Sequence, residues 1–321
     1  MKKIKIDGFV LSIIIVVILA YLFPYWGSKS SPIPIDLISS VGVSLIFFFY
    51  GLKLNKEKLT NGLKNWRLHI LVQLSTFLLF PLIIIFIRPA FLFVDATEVW
   101  LGFLFLAALP STVSSSVVMV SLARGNILAA IFNASISGLI GILVTPLWMG
   151  SFLHHVSEDF QLGSVYLKLI TEILLPVALG LFLQPKLGSY ATRFNSWLTT
   201  FDKSVILLII YKSFCSSFLE KVFESVNLVD LLYISAGGLI FFFVVFYLTG
   251  FLAKRLKFNR EDTITAQFCG TKKSLVHGTV FSKILFPSTM PVGLILLPLM
   301  LFHAFQLFIV SIIATRLSRE I

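Results

Sequence analysis

Two adjacent lysines stand inside an apolar run, Ala266-Gln267-Phe268-Cys269-Gly270-Thr271-Lys272-Lys273-Ser274-Leu275-Val276-His277-Gly278. A lysine at the centre of a membrane helix costs about 2.5–3.5 kcal/mol on an insertion scale, so it persists only with a partner, a water-filled cavity or a task. The bland reading is a cytoplasmic or re-entrant loop, or two lysines that snorkel. The alternative puts a helix break at Gly270, with Thr271 and Lys272 facing a second break elsewhere. A lysine there serves as an intrinsic cation in charge space that a bound ion would otherwise fill, or anchors an anionic solute. Neighbours on a helix point about 100° apart, so Lys272 and Lys273 need not serve one site, and the sequence leaves open which faces inward.

The second break is predicted in Leu109-Pro110-Ser111-Thr112-Val113-Ser114-Ser115-Ser116. Pro110 removes a donor and frees a carbonyl, and five hydroxyls follow it within six residues. One reading is a kinked helix whose hydroxyls bond their own carbonyls. The other is a broken helix whose Thr112, Ser114, Ser115 and Ser116 line a solute or cation site. Glu172 is the acid that falls clearly within a predicted span. It pairs with a lysine, carries a proton, binds a cation or sits at the interface. Asn133, Gln73, Gln306 and His303 read as polar groups that bond across helices.

Covalent chemistry finds no support. No Walker A, GxSxG elbow or dinucleotide fingerprint is present. Cys215 and Cys269 form no CxxC pair or zinc spacing. The chain is read as a non-enzyme without a resident cofactor.

The elements that position these residues follow from composition. Of 321 residues, 57% are hydrophobic and 13% charged, where a soluble domain carries about 25% charge. Mean hydropathy is +0.96. An ordinary cytosolic enzyme, a secreted protein and a disordered chain are excluded. Apolar runs predict ten spans, at 7–25, 35–52, 68–88, 99–121, 127–149, 165–184, 203–219, 229–253, 262–284 and 287–315. Lys2 and Lys3 precede a first span that is read as retained rather than cleaved.

The net charge is +11. The basic residues fall in gaps between spans, which argues for topology and not for a nucleic-acid partner. With ten spans and a cytoplasmic N-terminus, 18 of 26 lysines and arginines lie on the cytoplasmic side. Both termini are therefore expected on the cytoplasmic side of the cell membrane. Gly141-Ile142-Leu143-Val144-Thr145-Pro146-Leu147 is echoed by Gly293-Leu294-Ile295-Leu296-Leu297-Pro298-Leu299. Five spans per half make two repeats, 1–149 and 165–315, of opposite orientation, an architecture of secondary transporters.

The hydroxyl run, extended as Leu109-Pro110-Ser111-Thr112-Val113-Ser114-Ser115-Ser116-Val117-Val118-Met119, the turn Leu122-Ala123-Arg124-Gly125-Asn126, and Phe268-Cys269-Gly270-Thr271-Lys272-Lys273-Ser274-Leu275 together resemble the sodium–bile acid symporter superfamily. The resemblance covers essentially the whole chain and is nearest to its SBF-like branch of sodium-dependent transporters. It implies an all-α membrane fold of ten helices in two inverted repeats. Spans three to five and eight to ten would form a core domain. Spans one, two, six and seven would form a panel. Broken spans four and nine would cross near the midplane, and core and panel would move relative to each other.

Classical members of that superfamily bind sodium through span four, span five and a Glu and Gln pair on span nine. If Gly270 matches their break glycine, Lys272 stands where that Gln would be, Lys273 at the following Asn and Phe268 at the Glu, with Gln267 the nearest polar substitute. The resemblance supports Ser114, Ser115 and Ser116 as core polar residues, with Gln73 a contributor from span three; with the polar residues read directly from the sequence, the candidate binding set is Thr112, Ser114, Ser115, Ser116, Gln73, Asn133, Gln267, Thr271, Lys272, Lys273 and Glu172. Sodium, if coupled, would sit on Ser114, Ser115 and Gln267. The expected function is secondary active transport of a small organic anion or amphipathic solute. The alternative is a membrane regulator of calcium influx with little transport of its own. The expected partners are the lipid bilayer and that solute; the sequence does not give the oligomeric state.

Overall fold

The computed structural model describes residues 8–28, 31–54, 65–93, 96–112, 114–153, 162–219, 221, 226, 228–287 and 289–319. Among them the chain is all helical. Helices overlie each of the ten predicted apolar runs. Six are long and apolar enough to cross a membrane: Ile35–Lys53, Trp66–Phe86, Ile127–Leu153, Gly163–Arg193, Leu228–Arg255 and Val292–Leu317. In a bilayer a helix satisfies its own backbone, which is why apolar runs of this length fold as helices.

The chain forms two compact units. The first comprises Met1–Leu54, Gly163–Asn227 and Thr279–Leu294. It includes α1 (Gly8–Leu22) and α2 (Ile35–Lys53). Small residues let two backbones meet there. A Cβ on Gly51 would lie 2.3 Å from the Val177 carbonyl oxygen, and one on Gly180 would lie 2.1 Å from that of Phe48. Only glycine permits this approach. Lys212 pairs with Asp36. Lys283 donates to the Asp36 carbonyl at 3.1 Å and to Ser40 Oγ at 2.6 Å.

The second unit comprises Asn55–Leu162, Leu228–Gly278 and Ile295–Ile321. Its chain path begins with α3 (Trp66–Leu74), a π turn (Ser75–Leu79) and α4 (Phe80–Phe86). Then come α5 (Arg88–Phe93), α6 (Thr97–Ala108), α7 (Ser114–Leu122) and α8 (Ile127–Leu153). In the first unit, α9 (Leu162–Leu169), a second π turn (Ile170–Leu174), α10 (Leu175–Arg193) and α11 (Asn195–Leu219) follow. The path closes with α12 (Leu228–Arg255), α13 (Arg260–Thr271), α14 (Leu275–Leu285) and α15 (Val292–Leu317).

Both predicted broken spans are broken. The first is α6 followed by α7, and the second is α13 followed by α14. The second break falls after Thr271 and not at Gly270, which remains helical. A Cβ on Gly270 would come within 3.2 Å of Ser75 Cβ. The glycine therefore serves close packing, and the backbone turns extended only at Lys272 (φ −82°, ψ 145°).

The Leu122–Asn126 turn is a packing device at one end of the second unit. Asn126 Nδ2 donates to Asp262 Oδ1 at 2.8 Å, and Asn65 Nδ2 donates to Asp262 Oδ2 at 2.7 Å. The Asn126 backbone N–H donates to Thr265 Oγ1 at 2.9 Å. A Cβ on Gly125 would meet Val120, Ile264 and Thr265 at 2.8–3.0 Å. Asn259 caps α13 by accepting from the Asp262 N–H at 2.8 Å, an ordinary helix start.

Candidate functional site

α6 stops at Ala108 because Leu109 turns extended (ψ 152°) and Pro110 carries no N–H. A helix end leaves its last carbonyls without intrahelical donors. Four carbonyls at this break find donors elsewhere. Those of Ala107 and Leu109 accept from Lys273 Nζ at 2.6 and 2.9 Å. That of Ala108 accepts from Thr145 Oγ1 at 2.8 Å. That of Pro110 accepts from the Ser274 N–H at 2.9 Å. This last bond joins the two breaks directly.

A third carbonyl reaches Lys273 from the π turn. The Phe80 N–H bonds Ser75 O instead of the Thr76 oxygen an α-helix would use. The next donor would be Pro81, which has none. Thr76 O is thereby free to accept from Lys273 Nζ at 2.7 Å. Phe77 O, whose α-helical donor would also be Pro81, accepts from Trp148 Nε1 at 2.7 Å.

The two lysines differ sharply. Both are fully buried. Lys273 Nζ has three carbonyl acceptors for its three N–H groups and lies 4.2 Å from the centre of the Phe80 ring. Gln306 takes its backbone, accepting from the Lys273 N–H at 2.9 Å and donating to its carbonyl at 2.7 Å. Gln306 Nε2 also lies 2.9 Å from His303 Nδ1. Lys272 Nζ has one hydrogen-bond acceptor among the described residues, Ser115 Oγ at 2.9 Å. Ser115 continues into a hydroxyl network, with Thr112 Oγ1 2.9 Å from Ser115 Oγ and 3.0 Å from Ser116 Oγ.

The remaining predicted residues divide. Thr112, Ser115 and Ser116 gather with Lys272, while the side chain of Ser114 lies outside the described residues. Thr271 Oγ1 bonds back to the Gln267 carbonyl in its own helix. Gln267 Nε2 donates to the Phe246 carbonyl at 3.1 Å, so its amide is committed to α12. Gln73 and Asn133 form a separate cluster. Gln73 Nε2 lies 3.2 Å from Asn133 Oδ1, and Asn133 Nδ2 lies 2.9 Å from His69 Nδ1. Glu172 belongs to the first unit, in the second π turn, and its Oε2 is buried without a hydrogen-bond partner among the described residues.

Sequence reasoning passed over Thr76 and Phe80, and gave Gln306 and His303 a merely structural part. Pro81 was the available signal for the first pair, since a proline removes the donor that would have held Thr76 or Phe77 O.

The profile of the SBF-like CPA transporter family matches residues 7–319. The chain belongs to that family. It is a family of transporters and not of enzymes. Uncharacterized protein PA2026 of Pseudomonas aeruginosa is 37% identical over 314 residues, covering 98% of this chain and 93% of its own length. A protein of Escherichia coli K12 named "Putative symporter YfeH" is 36% identical over 323 residues, covering 100% and 96%. Sodium/bile acid cotransporter 7-B of Xenopus laevis is 32% identical over 322 residues, covering 98% and 92%. Membership and the six long apolar helices make this SBF-like protein a multi-pass membrane protein.

Proposed function

We propose that this SBF-like protein is a secondary transporter that moves a small organic anion, or an amphipath with an anionic head, by alternating access. The carrying observation is Lys272. It is fully buried, and Ser115 is its one hydrogen-bond acceptor among the described residues. A buried ammonium with donors to spare favours an anion beside it. Lys273, with three acceptors for three donors, has nothing left to offer a solute. The Thr112, Ser115 and Ser116 hydroxyls would orient the solute's polar end.

Relatives named sodium/bile acid cotransporter support an amphipathic anion as the class to test first. The architecture proposed with this reading is two inverted repeats of five helices, residues 1–149 and 165–315, with both termini in the cytoplasm of the cell. The positive-inside distribution of basic residues supports that orientation. Sodium as coupling ion meets a physical objection at Ser115. An ammonium 2.9 Å from that oxygen repels a second cation on it.

The test is uptake in proteoliposomes holding the purified protein. Labelled organic anions and bile-acid-like amphipaths are offered under an imposed sodium gradient, a proton gradient or neither. Uptake by wild type and its loss in Lys272→Ala support the reading. If nothing moves under any gradient while removal of the protein alters cellular calcium, the regulator of calcium influx takes its place.

A further inference from the structure

Three carbonyls and one aromatic face surround Lys273 Nζ, and each is there through a local departure from regular helix. Thr76 O, at 2.7 Å, is released by the π turn and Pro81. Ala107 O, at 2.6 Å, would have bonded the Ser111 N–H in a continuous helix, but that N–H goes to Ser137 Oγ at 3.0 Å. Leu109 O, at 2.9 Å, lies past the end of α6. The Phe80 ring presents its electron-rich face at 4.2 Å. A carboxylate is not among these groups. This is the chemistry of a site for a small primary ammonium ion, in which neutral dipoles replace the hydration shell and a ring closes the remaining side.

We propose that these groups form an ammonium site which the chain fills with its own side chain, and which opens to free alkylammonium ions when Lys273 is truncated. The site lies within one compact unit and is independent of whether Lys272 holds a transported anion. Removing Lys273 beyond Cβ takes away three carbons and an ammonium group. That is the framework of n-propylammonium, so this ion supplies both the missing volume and the missing donors. The pull on it is the cost of leaving three buried carbonyls without donors. A tethered ammonium also means that no alkali ion is needed at this place to satisfy the break of α6.

Thermal unfolding of detergent-purified full-length protein tests this without a known solute. The variants are wild type, Lys273→Ala, Lys273→Met and Lys272→Ala, each titrated with n-propylammonium, sodium or potassium chloride. Lys273→Ala is expected to melt lower than wild type and to rise saturably with n-propylammonium. The rise should be about 2 °C at ten times the half-saturating concentration. Wild type, Lys272→Ala and Lys273→Met, whose thioether stem occupies the space, should not show that rise.

Equal shifts in all four proteins, or stabilisation of Lys273→Ala by sodium or potassium but not by n-propylammonium, would overturn the assignment. Should Lys273→Ala not yield folded protein, Phe80→Leu and Lys273→Met complete a double-mutant cycle. Loss of the buried ring should then lower the melting temperature by less in Lys273→Met than in wild type, whereas equal losses in the two overturn the proposal. Uptake plays no part in this readout, so a failure of the transport reading is recognised separately.

Discussion

Gln306 holds both backbone hydrogen-bonding groups of Lys273 with one amide. Its Oε1 accepts from the lysine N–H at 2.9 Å, and its Nε2 donates to the lysine carbonyl at 2.7 Å. At a helix break these groups have no regular partner. His303 Nδ1, 2.9 Å from the same Nε2, suits an acceptor and so favours this orientation of the amide.

Gln306→Leu leaves a buried N–H and a buried carbonyl without partners. A loss of about 2–6 kcal/mol is expected, from about 1–3 for each orphaned group. Chemical or thermal unfolding reads it directly. His303→Ala, which orients the amide without touching the lysine, should cost less. A smaller loss in Gln306→Leu than in His303→Ala would remove the amide from the role given to it.

Lys272 and Lys273 should separate in their effects. Lys272→Gln removes a buried charge that has a single hydroxyl acceptor among the described residues, so stability should hold or rise while anion uptake falls at least about tenfold. Lys273→Gln should lose stability first, because it takes donors from three carbonyls. Parallel melting curves and proteoliposome uptake check both. The neutral residue at position 272 also lifts the repulsion of a cation from Ser115, so any sodium dependence should strengthen in that variant.

Trp148→Phe keeps an aromatic ring and removes the N–H that reaches Phe77 O at 2.7 Å. Pro81 cannot replace that donor. A loss of about 1–3 kcal/mol is expected. The companion variant Trp148→Phe with Pro81→Ala should recover part of it, because position 81 then regains an N–H for the same helix turn. No recovery would show that the missing donor is not the cause.

Gly180→Ala probes the first unit. Its new Cβ would lie 2.1 Å from the Phe48 carbonyl oxygen, an approach that forces α2 and α10 apart. Because backbone and not a flexible side chain is in the way, several kcal/mol of destabilisation are expected, at the upper end of overpacking costs of about 1–3 kcal/mol or beyond. Gly238→Ala, which meets nothing within 4 Å inside a long helix, is the matched control and should melt like wild type or slightly higher.

Much of this is legible in the sequence. Low charge and long apolar runs give helices, because a membrane leaves few other ways to satisfy a backbone. Pro110 followed by hydroxyls marked the first break, and paired lysines marked the neighbourhood of the second. The roles of the two lysines were not legible. They depend on which carbonyls lie within reach of each Nζ, and those carbonyls come from residues 76, 107 and 109, far from 273 in sequence. Gly270 misled for a related reason. Glycine reads as a breaker in isolation, but here it makes room for Ser75, while the break is set by Gln306 and Pro110 taking the backbone of residues 273 and 274.

The π turn at Ser75–Leu79 carries one residue more per turn than the helix around it. Deleting one residue within 77–79 would turn the bond from the Phe80 N–H to Ser75 O into an ordinary helical one and leave the two flanks in phase. Thr76 O would still face Pro81, which has no N–H, and would stay open to the ammonium; only Pro81→Ala in that shortened helix would recapture it. The proline, and not the length of the turn, therefore keeps the seat of Lys273 open, with no change in the lysine itself.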